Sequence, residues 1–79
     1  MPPQFPSLRG RALLKVLTCD KLGYEVVRQR GSHRQLASSN GYPPLTFAFG
    51  DNDMIGPTMV KKVLMQSVGL TDEEVLEVL

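Results

Sequence analysis

Residues 24–38, Tyr24-Glu25-Val26-Val27-Arg28-Gln29-Arg30-Gly31-Ser32-His33-Arg34-Gln35-Leu36-Ala37-Ser38, decide the fold. Tyr24, Val26 and Val27 among polar neighbours predict a strand over Tyr24 to Arg30, because aromatic and β-branched side chains fit a pleated surface. Gly31-Ser32 supplies a short turn, and His33 to Ser38 returns antiparallel as a second strand. Ser39-Asn40-Gly41 is the strongest turn signal in the chain, since Asn-Gly accepts the positive φ angles of a tight hairpin. Pro43 and Pro44 delay a third strand, expected at Leu45 to Phe49. There Leu45, Phe47 and Phe49 point one way and Thr46 and Ala48 the other, which favours core for the phenylalanines.

On the N-terminal side, Leu8 to Leu22 reads as a helix with Ser7 as its N-cap, and Leu13, Val16 and Leu17 fall at helical spacing. Gly10 costs such a helix about 1 kcal/mol relative to Ala, so its first turn is expected to fray. Gly23 is placed to end it in a left-handed conformation. Cys19 falls mid-helix, as a small buried filler. Pro2, Pro3 and Pro6 keep residues 1–6 out of the helix and loosely held.

On the C-terminal side, Gly50-Asp51-Asn52-Asp53 is a polar loop. Pro57 suits the first position of a second helix reaching about Ser67, with Met59, Val60, Val63, Leu64 and Val68 inward and Lys61 and Lys62 outward. Gly69 closes it, and Thr71-Asp72-Glu73-Glu74 is a capping box that opens a last short helix. The order αβββα(α) predicts an α+β fold: a three-stranded antiparallel sheet with helices on one face and the other face free.

Length and composition bound the possibilities. Seventy-nine residues allow one domain, 1–79, and a chain this short buries only about 60% of its unfolded surface. No apolar run approaches the roughly 18 residues of a membrane span, and the first residues lack the pattern of a secretory signal. A single cysteine excludes an internal disulfide and a cysteine-based metal site. These features predict a cytoplasmic protein with no membrane partner. The net charge of +1 neither requires nor forbids nucleic acid. Any RNA contact must be a local patch, because proteins that rely on phosphate neutralisation alone are more basic.

Such a patch lies in the hairpin. Arg28, Arg30 and Arg34 flank His33, the only histidine. Imidazole exchanges protons near neutral pH. Metal-free RNA cleavage needs a base for the 2′-hydroxyl proton or an acid for the leaving oxygen, and cations near the charge that builds on phosphorus. A histidine among arginines supplies both in kind, although a surface residue or a phosphate contact has the same composition. One histidine cannot be acid and base at once, and no second group stands out. Other candidates read as structure: Met54, Met59 and Met65 as core filler rather than a partner surface, and Asp51 and Asp53 as loop carboxylates without further metal ligands in sequence. Tyr42, in a turn, stays open between structure and base stacking.

Leu22-Gly23-Tyr24-Glu25-Val26-Val27-Arg28-Gln29-Arg30-Gly31-Ser32-His33 resembles the signature of the HicA toxins, in which an Arg-Gln approach precedes Gly-Ser-His across the first hairpin. The likeness runs from about Ser7 through Gly56–Leu64 to Val68-Gly69-Leu70-Thr71. It implies a fold like that of double-stranded-RNA-binding domains and a toxin endoribonuclease that cleaves mRNA, with no cofactor and no metal. His33 then falls at the catalytic position, and Arg28, Arg30, Ser32 and Arg34 are the candidate RNA contacts. The partners implied are mRNA and a HicB-like antitoxin that caps the site in a hetero-oligomer. Two departures stand out. Many members carry a further histidine where this chain has Ala48-Phe49-Gly50, and many follow Gly-Ser-His with a histidine or an aromatic where Arg34 and Gln35 stand. The first motivates an alternative, a non-catalytic RNA-binding or partner-binding module that kept the fold.

Overall fold

The computed structural model describes residues 5–79. The chain runs β1 (Leu8–Arg9), α1 (Gly10–Leu17), β2 (Tyr24–Arg30), β3 (His33–Ser38), β4 (Leu45–Phe47), β5 (Met54–Ile55), α2 (Pro57–Lys61, continued as a π-helical segment Lys62–Ser67) and α3 (Asp72–Val78). Strands β2, β3 and β4 form the expected antiparallel meander, in that order. Tyr24, Leu36 and Phe47 are buried on the sheet face that packs against Leu13, Leu17, Val60, Leu64 and Val75 from the helices. The opposite face is open, as the α+β reading anticipates.

The first helix is shorter than predicted, and its start is built differently. Ser7 lies outside it, and the N-cap is Arg9, in extended backbone with no side-chain cap. The first helical N–H groups need acceptors, and loop carbonyls supply them. Gly10 N–H donates to the Asp53 carbonyl at 2.8 Å and Arg11 N–H to that of Asp51 at 3.1 Å. Just before them, Leu8 and Arg9 pair with Ile55 and Met54 in a two-stranded ribbon that no sequence signal announced. A Cβ on Gly10 would collide with the Gly50 carbonyl. Gly10 is therefore a close-approach residue where helix and loop touch, not a weak point in a longer helix. The loose 1–6 segment falls mainly on residues 1–4, which lie outside the described residues; Phe5 packs against the core.

The helix ends at Leu17, so Asp20 and Cys19 lie beyond it, and Cys19 is half-buried against the core. Gly23 does adopt the left-handed conformation, at φ 65°. Gly41 takes the positive φ that the turn reading asks for, at 90°, whereas Asn40 does not adopt one. The Asn40 side-chain amide instead donates to the carbonyls of Asp20 at 2.7 Å and Lys21 at 2.9 Å, tying the turn after α1 to the β3–β4 connection.

Strand β4 stops at Phe47, and Phe49 packs edge-to-face on Phe47, ring centres 5.3 Å apart. The second helix spans the predicted residues but widens at Lys62–Ser67 while keeping Val63, Leu64 and Val68 buried. Met65 packs against the core, whereas Met54 and Met59 are exposed, so the core-filler expectation holds for one of the three. The capping box forms: Glu74 N–H donates to Thr71 Oγ1 at 3.3 Å, and Thr71 N–H to Glu74 Oε1 at 3.1 Å. Tyr42 is structural. Its ring lies against Tyr24, and its hydroxyl donates to Glu74 Oε2 at 3.1 Å, docking α3 on the β3–β4 connection. Lys21 pairs with Glu77 nearby. No helix among the described residues is long and apolar enough to cross a membrane.

Candidate active site

The site begins with the turn. Arg30 and His33 pair across the two-residue loop Gly31-Ser32. Gly31 takes φ 62°, which a glycine-first two-residue hairpin loop requires. The Gln29 side-chain amide donates to the Gly31 carbonyl at 3.1 Å and steadies the bend. Ser32 sits exposed at its tip.

Paired residues of an antiparallel ladder share a face, and alternate residues along a strand share it too. His33 and Gln35 therefore lie together on β3. Arg30 stands opposite His33, while Arg28 and Thr46 flank Gln35 on its two sides. These five side chains line an open depression of about 320 Å³ on the face away from the helices.

A β-bulge makes this grouping possible. Tyr24 is buried on the core face, so strict alternation along β2 would turn Arg28 and Arg30 toward the core as well. The register shifts between Val26, which pairs with Leu36, and Arg28, which pairs with Gln35. Val27 is the extra residue, and the phase of the strand reverses after it. Both arginines consequently emerge beside His33.

Arg34 is not part of this group. It pairs with Phe47 on the core face, and its Nη2 donates to Asp51 Oδ1 at 2.9 Å. Its side chain is only 15% exposed, and Nη1 is buried without a partner. Asp53 Oδ2 accepts from Gly50 N–H at 2.8 Å, and both carboxylates lie in the loop where the sequence reading put them. Gly50, in the stretch where the resemblance leads one to look for a further histidine, belongs to this loop and lies against Gly10. Among the described residues no three His, Cys, Asp or Glu side chains gather where they could hold a metal ion.

Gln35 and Thr46 are site residues that the sequence reading did not single out. The signal for Gln35 was present, two positions after His33 on a strand. Thr46 joins only through the β3–β4 register. Together the depression offers two guanidinium groups, an exposed imidazole, an amide and a hydroxyl, with no carboxylate among its lining residues. That set can hold a phosphodiester, and it offers one imidazole to the hydroxyl groups beside it.

The family model for the HicA toxin of bacterial toxin–antitoxin systems matches residues 10–69, three quarters of the chain. No curated protein and no solved structure gives a significant match. This chain belongs to the HicA toxin family, whose members work against an antitoxin partner.

Proposed function

We propose that this HicA-family toxin is an endoribonuclease that cleaves mRNA in the cytoplasm without a metal ion, and that a HicB-like antitoxin silences it by covering the open sheet face. The carrying observation is the pairing of Arg30 with His33 across the turn, with Arg28 beside them on the same face. In the proposed reaction, His33 takes the proton of a ribose 2′-hydroxyl. The oxygen attacks the adjacent phosphorus, and the bond to the 5′-oxygen breaks. The products are a 2′,3′-cyclic phosphate and a 5′-hydroxyl, the leaving oxygen taking its proton from water. Arg28 and Arg30 neutralise the charge that builds on the phosphoryl oxygens, the stage at which fixed cations accelerate most. Ser32, exposed at the tip, contacts the strand as it leaves the depression in this proposal.

His33→Ala tests this. The imidazole is exposed, so the variant keeps the fold. It should lose both RNA cleavage and growth arrest when expressed without antitoxin. Equal cleavage by purified parent and variant would defeat the assignment. The second reading, a binding module that kept the fold, draws on the lone imidazole, since neither a carboxylate nor a second imidazole lines the depression. A module of that kind would be tolerated in cells without its partner and would leave mRNA intact.

A further inference from the structure

The depression around His33 does not end at Gln35 and Thr46. Both residues also border a second open hollow of about 360 Å³, whose other walls include Val27, Ala37, Pro44 and Leu45. One half of the open face therefore carries guanidinium and imidazole groups, and the adjoining half is apolar. The apolar half is exposed: Val27, the bulged residue, is 59% accessible. A ligand that fills both halves must present an anion and, directly beside it, a flat or apolar group. A nucleotide has that shape, with its phosphate one ribose away from its base.

We infer that the apolar hollow is a nucleobase subsite, which seats the base next to the scissile phosphate. The bulge serves it twice, turning Arg28 and Arg30 outward and pushing an apolar side chain onto the same face. Gln35 and Thr46 stand at the junction of the two halves, where an amide and a hydroxyl can hydrogen-bond a base edge or a ribose. A base seated there has left its helical stack. The substrate is consequently unpaired RNA, read as proteins read single strands, rather than a duplex read by groove shape.

The inference rests on reading the cationic half as an RNA site, and the experiment separates the two. Binding is measured with an uncleavable 2′-deoxy tetranucleotide and with the same strand abasic at single positions, using parent, Val27→Ser and Arg30→Ala. Val27→Ser removes apolar surface without changing charge, at an exposed position that does not disturb the core. At one position, loss of the base should weaken binding to the parent about tenfold, in line with the contribution of one docked base. Val27→Ser should lose about the same and show no further abasic penalty, whereas Arg30→Ala should weaken both strands equally. Cleavage of the all-ribose strand by the parent is followed in parallel. Base-dependent binding without cleavage keeps the subsite and removes the enzyme. Cleavage or binding that ignores both Val27→Ser and every abasic position overturns the subsite.

Discussion

Arg30 and His33 face each other across the Gly31-Ser32 turn, as the last and first residues of adjacent strands on one open face. A guanidinium this close to the proposed proton acceptor should act on the transition state more than on the ground state. Arg30→Ala is expected to lower kcat/KM for RNA by about 100-fold, the usual loss when one donor to a developing oxyanion is removed. Arg30→Lys should restore only part of it, since an ammonium keeps the charge but not the planar fork. Initial-rate measurements on a defined oligoribonucleotide check both.

Arg34 makes the opposite case. It neighbours His33 in sequence but turns to the core face and pairs with Asp51. Arg34→Met keeps a long apolar stem and removes a guanidinium nitrogen that is buried without a partner. Stability should stay within about 1 kcal/mol of the parent, because Asp51, the partner left behind, is 57% exposed and stays hydrated. RNA cleavage should be unchanged. A loss like that of Arg30→Ala would place Arg34 in the site after all.

The contact between Gly10 and Gly50 is backbone against Cα, so nothing flexible can yield to a side chain there. Gly10→Ala is expected to cost about 2 kcal/mol through overpacking, which for a chain of this size lowers the melting temperature by roughly 8–16 °C. Gly50→Ala meets only the Asp53 carboxylate, at 3.2 Å, and should cost less. Thermal denaturation followed by circular dichroism ranks the two.

Glu74 links stability to pH. Hydrogen bonds from the Thr71 backbone, then from the Tyr42 hydroxyl and the Thr71 side chain, hold its carboxyl below the ordinary value of 4.5. The unfolded chain binds the proton more readily, so stability rises with pH between the depressed value and the ordinary one. The contribution is complete above the ordinary carboxylate range and is lost as pH falls through the folded-state value. Melting temperatures of parent and Glu74→Gln should therefore differ at pH 6 and converge toward pH 3. A gap that stays constant across that range would remove Glu74 from the account.

Much of this could be read from the chain, and the exceptions have physical causes. Strands β2 and β3 lie at the predicted residues because their turn is chemically explicit, as is the Thr71 capping box. The bulge was not legible: Val27 looks like an ordinary strand residue, and only pairing with β3 makes it the odd one out. Asn40 carried a turn signal whose use was different, since its amide found carbonyls after α1 that the sequence places twenty residues away. Gly10 read as a helix defect because nothing local points to Gly50. The expected helix start at Ser7 failed for the same reason, the acceptors and the pairing strand lying beyond residue 50. For the site, the His33 hairpin was evident, but facing decided membership. Alternation along β3 separates Arg34 from His33 and admits Gln35.

The ribbon joining Leu8–Arg9 to Met54–Ile55 also sets an order of assembly. The hairpin bearing the histidine closes over a few residues and can form while the chain is still being synthesised. The opening helix cannot be fastened until Ile55 has left the ribosome, because loops that long close only when both ends are present. A nascent toxin therefore displays its cationic bend before it owns a rigid platform.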